Sequence, residues 1–97
     1  MREVLSTLES LKEFKESIIW KDITEELIEW RDGFKEELLS IPSSIADNPV
    51  MSSAHVLTHM GDVNGRIMAI EYVLLIVDTL INDKEIEIEN KKGERNE

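Results

Sequence analysis

The sequence predicts an all-α protein, and three observations carry this prediction. Apolar residues recur at steps of three and four along most of the chain, which is the period of an amphipathic helix. Both prolines fall between residues 40 and 53, so they interrupt this pattern in one place. The 97 residues, 41% of them hydrophobic, suffice for one small domain. We therefore expect a single helical domain over residues 1–83, arranged as a hairpin or a three-helix structure with a long C-terminal helix.

Two helices, at about residues 3–17 and 20–40, are predicted for the N-terminal part. The periodic apolar positions are Val4, Leu8, Leu11, Phe14 and Ile18 in the first, and Trp20, Ile23, Leu27, Trp30, Phe34, Leu38 and Ile41 in the second. The phase of the pattern changes between Ile18 and Trp20, which predicts a break or kink. Ser17 is a candidate N-cap for the second helix, and Asp22 to Glu25 resembles a capping box. Both tryptophans are expected in the core.

A loop at 41–52 and a long helix at 53–83 follow, and a charged, flexible tail is expected at 84–97. The long helix carries four heptads of apolar residues, which we call the heptad series: Val56, Met60, Val63, Ile67, Ile70, Leu74, Val77 and Ile81. From Val73 onward the other faces of this helix also become apolar. The N-terminal helices or a second subunit must cover it, so we predict that the heptad series is an interface and the protein a homo-oligomer.

Composition excludes several classes of function. The net charge is −10, and Arg66 is the only lysine or arginine between residues 41 and 83, so we predict no direct binding of nucleic acid. The absence of cysteine excludes disulfides and thiolate zinc sites. No apolar run approaches the roughly 18 residues of a membrane span, and the first residues lack the pattern of a signal peptide. These features predict a soluble cytoplasmic protein without membrane contact.

His55, His59 and Asp62 are the candidate metal ligands. The two histidines are four residues apart, a spacing that places both imidazoles on one side of a helix. The glutamate of the HExxH motif is absent, so no general base is built in. We interpret these side chains as capping and rim residues and predict no metal, no cofactor and no enzymatic activity, with a metal- or anion-binding module as a remote alternative.

Gly61 and Gly65, with Arg66 beside them, form a second candidate site. Two glycines four apart remove side-chain bulk from one helix face, which favours the close approach of another helix. We predict a salt bridge from Arg66 to a carboxylate of the N-terminal helices, with an anion-binding role as the alternative.

Glu25, Glu29, Asp32 and Glu36 form an acidic face on the second helix. A solvated helix surface is the ordinary interpretation of such a face. The alternative is an imitation of a nucleic-acid backbone that occupies a basic groove on another protein. In that case the protein inhibits a host defence complex or nucleic-acid-processing complex.

Two segments resemble a family of small helical proteins, of about 100 residues and unknown function, from the structural-gene modules of tailed bacteriophages. The segments are FKESIIWKDITEELIEWRDGFKEELL and DVNGRIMAIEYVLLI, and Trp20, Gly65 and Arg66 carry the motif. Asn64 stands where the family often has glutamine. The resemblance implies a viral protein and supplies no catalytic residue. Our leading hypothesis is a non-enzymatic interaction or assembly protein in the host cytoplasm, with association with the virion as the alternative.

Overall fold

The computed structural model describes residues 3–47 and 53–95, and this part of the chain is all-helical. Its helices are α1 (Leu8–Lys15), α2 (Ile18–Asp47), α3 (Ser53–Leu74) and α4 (Ile76–Arg95), and these ranges contain no strand. The all-α prediction is confirmed. Where the sequence suggested one domain, the chain forms two compact units: unit 1 comprises the described residues up to Thr24 and from Leu74 onward, and unit 2 those between Glu25 and Val73.

Hydroxyl side chains set the beginnings of the first two helices. Thr7 precedes α1 in an extended conformation, and its Oγ1 accepts a hydrogen bond from the N–H of Ser10 at 3.1 Å. α1 therefore starts at Leu8, later than the predicted residue 3. Ser17 caps α2 in the same way, since its Oγ accepts the N–H of Trp20 at 3.1 Å. The predicted Ser17 cap is confirmed, and the capping-box alternative falls inside a continuous helix.

The C-terminal end of α2 lies beyond the predicted one. The sequence predicts a loop at 41–52, but residues 41–47 belong to α2, and residues 48–52 lie outside the described part of the chain. Pro42 thus stands within a helix and cannot donate the usual backbone hydrogen bond there. The helix up to Pro42 is held by the packing of Phe34, Leu38 and Ile41.

Unit 1 is built around the packing of α1 on α4. The two helices run antiparallel, since the end of α1 lies beside the start of α4 and the segment before α1 contacts Lys84 and Glu87. Val4, Leu11 and Val77 are buried, and the Phe14 and Trp20 rings pack with their centroids 5.6 Å apart. The Lys15 ammonium lies 2.6 Å from the Asp78 carboxylate at one end of the helix pair. A hydrogen bond to Asp78 and its negative charge raise the pKa of Lys15.

Polar contacts fasten the segment before α1 to α4. Lys84 Nζ donates to the carbonyl oxygen of Val4 at 3.0 Å, and the Val4 N–H donates to Glu87 at 3.4 Å. Lys84 and Lys91 lie 3.4 and 3.3 Å from the same carboxylate. Desolvation raises the pKa of Glu87, but hydrogen bonds from Lys91, the Val4 N–H and Lys84 outweigh it, so the pKa lies below its usual value.

Residues 84–95 are helical, in contrast to the flexible tail that the sequence suggested. The contacts of Lys84, Glu87 and Lys91 supply both ion pairs within the helix and attachment to the N-terminal segment. The predicted helix at 53–83 is also interrupted, because Leu75 forms a turn between α3 and α4. Leu75 lies in the run YVLLIV, whose aromatic and β-branched residues have lower helix propensity.

Unit 2 is a pair of helices in which α3 packs against α2. Its buried cluster contains Ile41 of α2 with Val56, Val63 and Ile67 of α3, and Phe34, Leu38 and Met60 pack around it. Val63 is the most deeply buried, with 1% of its surface exposed. Of the two tryptophans expected in the core, Trp30 is exposed, and its Nε1 donates to Glu26 at 2.9 Å.

In the described ranges, none of the helices has the length and apolar content needed to cross a lipid bilayer.

Candidate functional site

The heptad series packs largely within the chain itself. Five of its eight residues are buried in the single chain, and three of these lie in the cluster with Ile41 of α2. The buried five are Val56, Val63, Ile67, Ile70 and Val77; Met60, Leu74 and Ile81 are half-buried. In unit 2 this surface faces α2, so a second copy cannot use it without displacing α2. The use of the whole series as an interface between copies stays a prediction.

Another face of α3 is exposed and carries no charged residue. We call it the neutral α3 face and define it by Leu57, Gly61, Asn64, Gly65, Met68 and Tyr72. The spacing of these residues places them on one side of the helix, turned away from the buried stripe. Leu57 is 68% exposed, Met68 49% and Tyr72 71%. In a chain with 33% charged residues, an uncharged exposed apolar face of about four turns is characteristic of a contact surface.

The two glycines of this face are open to solvent within the described chain. A Cβ atom added at Gly61 or at Gly65 would meet no atom within 4 Å among the described residues. Neither residue has a positive φ, so backbone conformation does not require glycine at either position. The predicted close approach of another helix is therefore not made by the described part of this chain and stays a prediction for a partner. Asn64 lies between the two glycines in the sequence, and its Nδ2 is 3.9 Å from the Met68 sulfur.

Arg66 contacts α2 through a ring. Its guanidinium carbon lies 5.5 Å from the centroid of the Phe34 ring, within the range of a cation–π interaction. The described residues place no carboxylate within salt-bridge distance of Arg66, so the contact with the N-terminal helices differs in kind from the predicted salt bridge. A separate ion pair of α2 with α3 joins Lys35 to Glu71 at 3.8 Å.

The histidine pair lies on another side of α3. His55, His59 and Asp62 are all exposed, and His59 Nε2 lies 3.4 Å from the Glu37 carboxylate of α2. Across residues 3–47 and 53–95, no three histidine or carboxylate groups come together in a geometry that could hold a metal ion. The structure thus places His59 in a polar contact at the edge of the α2–α3 packing.

The acidic face is a continuous exposed surface of α2 in unit 2. Glu25, Glu29, Asp32 and Glu36 are all exposed and lie at helical spacing on one side. Arg31 lies 3.4 Å from Asp32, which is the one ion pair that the described residues provide to these four carboxylates. The face is thus strongly negative and only slightly neutralised.

Sequence reasoning identified Gly61 and Gly65 but missed the large residues that share their face. Leu57, Met68 and Tyr72 fall outside the heptad series, so the heptad pattern does not identify them. Their signal is in the sequence nevertheless, since they repeat at steps of three and four through Gly61 and Asn64. A second apolar series on a helix predicts a second covered face.

No known family model matches this chain, and comparisons with curated proteins and with solved structures gave no match either.

Proposed function

We propose that this chain is a non-enzymatic, phage-encoded protein that acts in assembly or protein–protein interaction through an oligomeric helical surface. The observation that carries the proposal is the neutral α3 face, with Leu57, Met68 and Tyr72 exposed around two open glycines. Burying such side chains against a partner is favourable because apolar area leaves water. The small size of the domain increases the benefit, since a short chain buries a limited share of its own surface. The viral origin rests on the sequence resemblance at Trp20, Gly65 and Arg66.

Sedimentation equilibrium over a range of protein concentrations tests the proposal. We expect the average mass of the native chain to rise with concentration. Met68→Glu should reduce it to the monomer mass, because a carboxylate would be buried in the contact. Leu39→Glu is the matched control, since Leu39 is a 79% exposed apolar residue of α2 and lies outside the neutral α3 face. A native chain that stays strictly monomeric at the highest concentration contradicts the oligomeric surface.

The exposed acidic face favours a second candidate function, the inhibition of a nucleic-acid-binding host protein by imitation of a phosphate backbone. Its four carboxylates are spread over about 16 Å of helix, at 1.5 Å per residue. The triple variant Glu29→Gln, Asp32→Asn and Glu36→Gln separates the two candidates. It should keep the oligomeric mass under the assembly proposal, and it should lose competition with duplex DNA for a basic host protein under the inhibitor alternative.

A further inference from the structure

We infer that the neutral α3 face pairs with the same face of a second copy, antiparallel, about a twofold axis between Asn64 and Gly65. The inference rests on the proposed function and specifies its partner and geometry. It comes from the order of large and small side chains along this face and from the charge distribution of the chain.

The spacing of the residues that define this face is the same when counted from either end. From Leu57 to Tyr72 the successive steps are four, three, one, three and four residues. In an antiparallel pair centred between Asn64 and Gly65, each side chain therefore has a partner directly opposite. Alternating steps of three and four are also the spacing with which two helices interlock their side chains.

Size is complementary in this register. Met68 of one copy lies opposite Gly61 of the other, where a Cβ would meet no described atom of its own chain. Gly65 lies opposite Asn64, and Leu57 opposite Tyr72, so the two outer positions pair an aliphatic side chain with an aromatic one. A parallel pairing would instead place Met68 against Met68 and Tyr72 against Tyr72, and would leave glycine against glycine. The antiparallel order fills the space over the glycines with the side chain of the partner.

The absence of charge on this face permits pairing with a second copy and offers nothing to a charged partner. The chain has a net charge of −10, so two copies repel each other over most of their surfaces. The neutral α3 face contributes no charge to this repulsion, and Glu71 at its edge is engaged by Lys35. A strongly basic partner would gain no charge attraction at this face and would be drawn to the acidic face of α2. A twofold contact also requires one surface to be complementary to itself, which this face satisfies.

Disulfide trapping tests the register, because the native chain has no cysteine and each introduced thiol is unique. The full-length variants Leu57→Cys and Tyr72→Cys are mixed, oxidised under mild conditions and analysed by intact mass. We expect the mixed Leu57→Cys/Tyr72→Cys disulfide to dominate. Leu57→Cys alone should stay uncrosslinked, since its two thiols would lie about 22 Å apart along the helices, beyond disulfide range. A dominant Leu57→Cys homodimer would establish parallel pairing and overturn the inference.

A glycine variant supplies a test that leaves the outer positions intact. Gly61→Leu should weaken dimerisation at least tenfold, because its side chain would occupy the space of the partner's methionine. Gly33→Leu is the matched control, as Gly33 also lies in a helix of unit 2 with no described atom within 4 Å of an added Cβ. It should leave the dimer dissociation constant within twofold of native. Both substitutions should raise the melting temperature of the monomer, since each replaces a helical glycine.

These experiments distinguish failure of the antiparallel pairing from failure of the proposed function. A dimeric native mass that survives Gly61→Leu, or that gives no mixed disulfide, overturns the antiparallel pairing and leaves an oligomeric helical surface elsewhere on the chain. A native chain that is monomeric at every concentration overturns both.

Discussion

The guanidinium of Arg66 lies over the ring of Phe34, with 5.5 Å between the guanidinium carbon and the ring centroid. This contact joins α3 to α2 beside the buried cluster, where Phe34 also packs. The single positive charge of the region between residues 41 and 83 thus contacts an aromatic face in a chain rich in carboxylates. A cation–π contact of an exposed side chain contributes about 0.5–1 kcal/mol.

We predict that a double-mutant cycle between Arg66→Gln and Phe34→Leu measures a coupling free energy of about 0.5–1 kcal/mol. Urea unfolding of the four proteins supplies the measurement. Because a cation–π contact depends on the ring and not on a neighbouring carboxylate, Glu71→Gln combined with Arg66→Gln should show additive effects. Additivity between Arg66→Gln and Phe34→Leu would contradict the contact.

Val63→Ala should destabilise the chain by about 2 kcal/mol, because it opens a cavity in the centre of the α2–α3 packing. Val63 is 1% exposed, and Val73 on the same helix is 46% exposed. Val73→Ala therefore removes the same atoms from a solvated site and should change the free energy of unfolding by less than about 0.5 kcal/mol. Thermal and urea unfolding of both variants test the difference, and equal losses would show that burial does not distinguish the two positions.

Ser17→Ala should cost about 1 kcal/mol, since the N–H of Trp20 loses the hydroxyl that accepts its hydrogen bond. Ser17→Asp should restore most of this stability, because a carboxylate accepts the same hydrogen bond and interacts favourably with a helix N-terminus. Circular dichroism during urea unfolding provides the measurement. An alanine variant as stable as the native chain would refute a capping role.

The attachment of the N-terminal segment to α4 should weaken in acid. Hydrogen bonds hold the pKa of Glu87 below its usual value, so its contribution to stability is complete above the unfolded pKa of about 4.3 and is lost as pH falls through the folded pKa. Intrinsic amide exchange slows between pH 6 and pH 3, and exchange of the Val4 amide should slow less than this, which gives an excess over the rate expected at constant protection. Glu87→Gln should remove this excess, whereas Glu89→Gln, which changes another carboxylate of α4, should retain it.

Local sequence signals predicted part of this fold well. The Ser17 cap follows from a hydroxyl before an apolar periodic segment, and the buried character of Val56, Val63 and Ile67 follows from heptad spacing. The spacing of apolar residues along a helix does not show what covers them, because packing against α2 and packing against a second chain require the same apolar positions. For this reason the heptad spacing predicts an interface between copies, whereas in unit 2 the series packs on α2.

The remaining differences depend on contacts between residues distant in sequence. Residues 84–95 read as a charged tail because their apolar content is low, and their attachment through Lys84 and Glu87 to Val4 becomes visible only when the two segments are together. The neutral α3 face differs from this tail, because its sequence signal is clear and its exposure is not. Its glycines were recognisable from the sequence, but their openness depends on where α2 lies.

The hydrogen bond from Lys84 to Val4 joins residues 80 positions apart, and this separation has a consequence for the order of folding. Unit 2 is formed from one continuous part of the chain, whereas unit 1 needs segments from both sides of it. During synthesis α2 and α3 are made before α4, and contacts of short sequence separation close first. Throughout that interval Leu11 of α1 lacks the helix that later covers it. A ribosome-bound chain stopped before Ile76 should therefore expose α1 to proteases and chaperones until translation resumes.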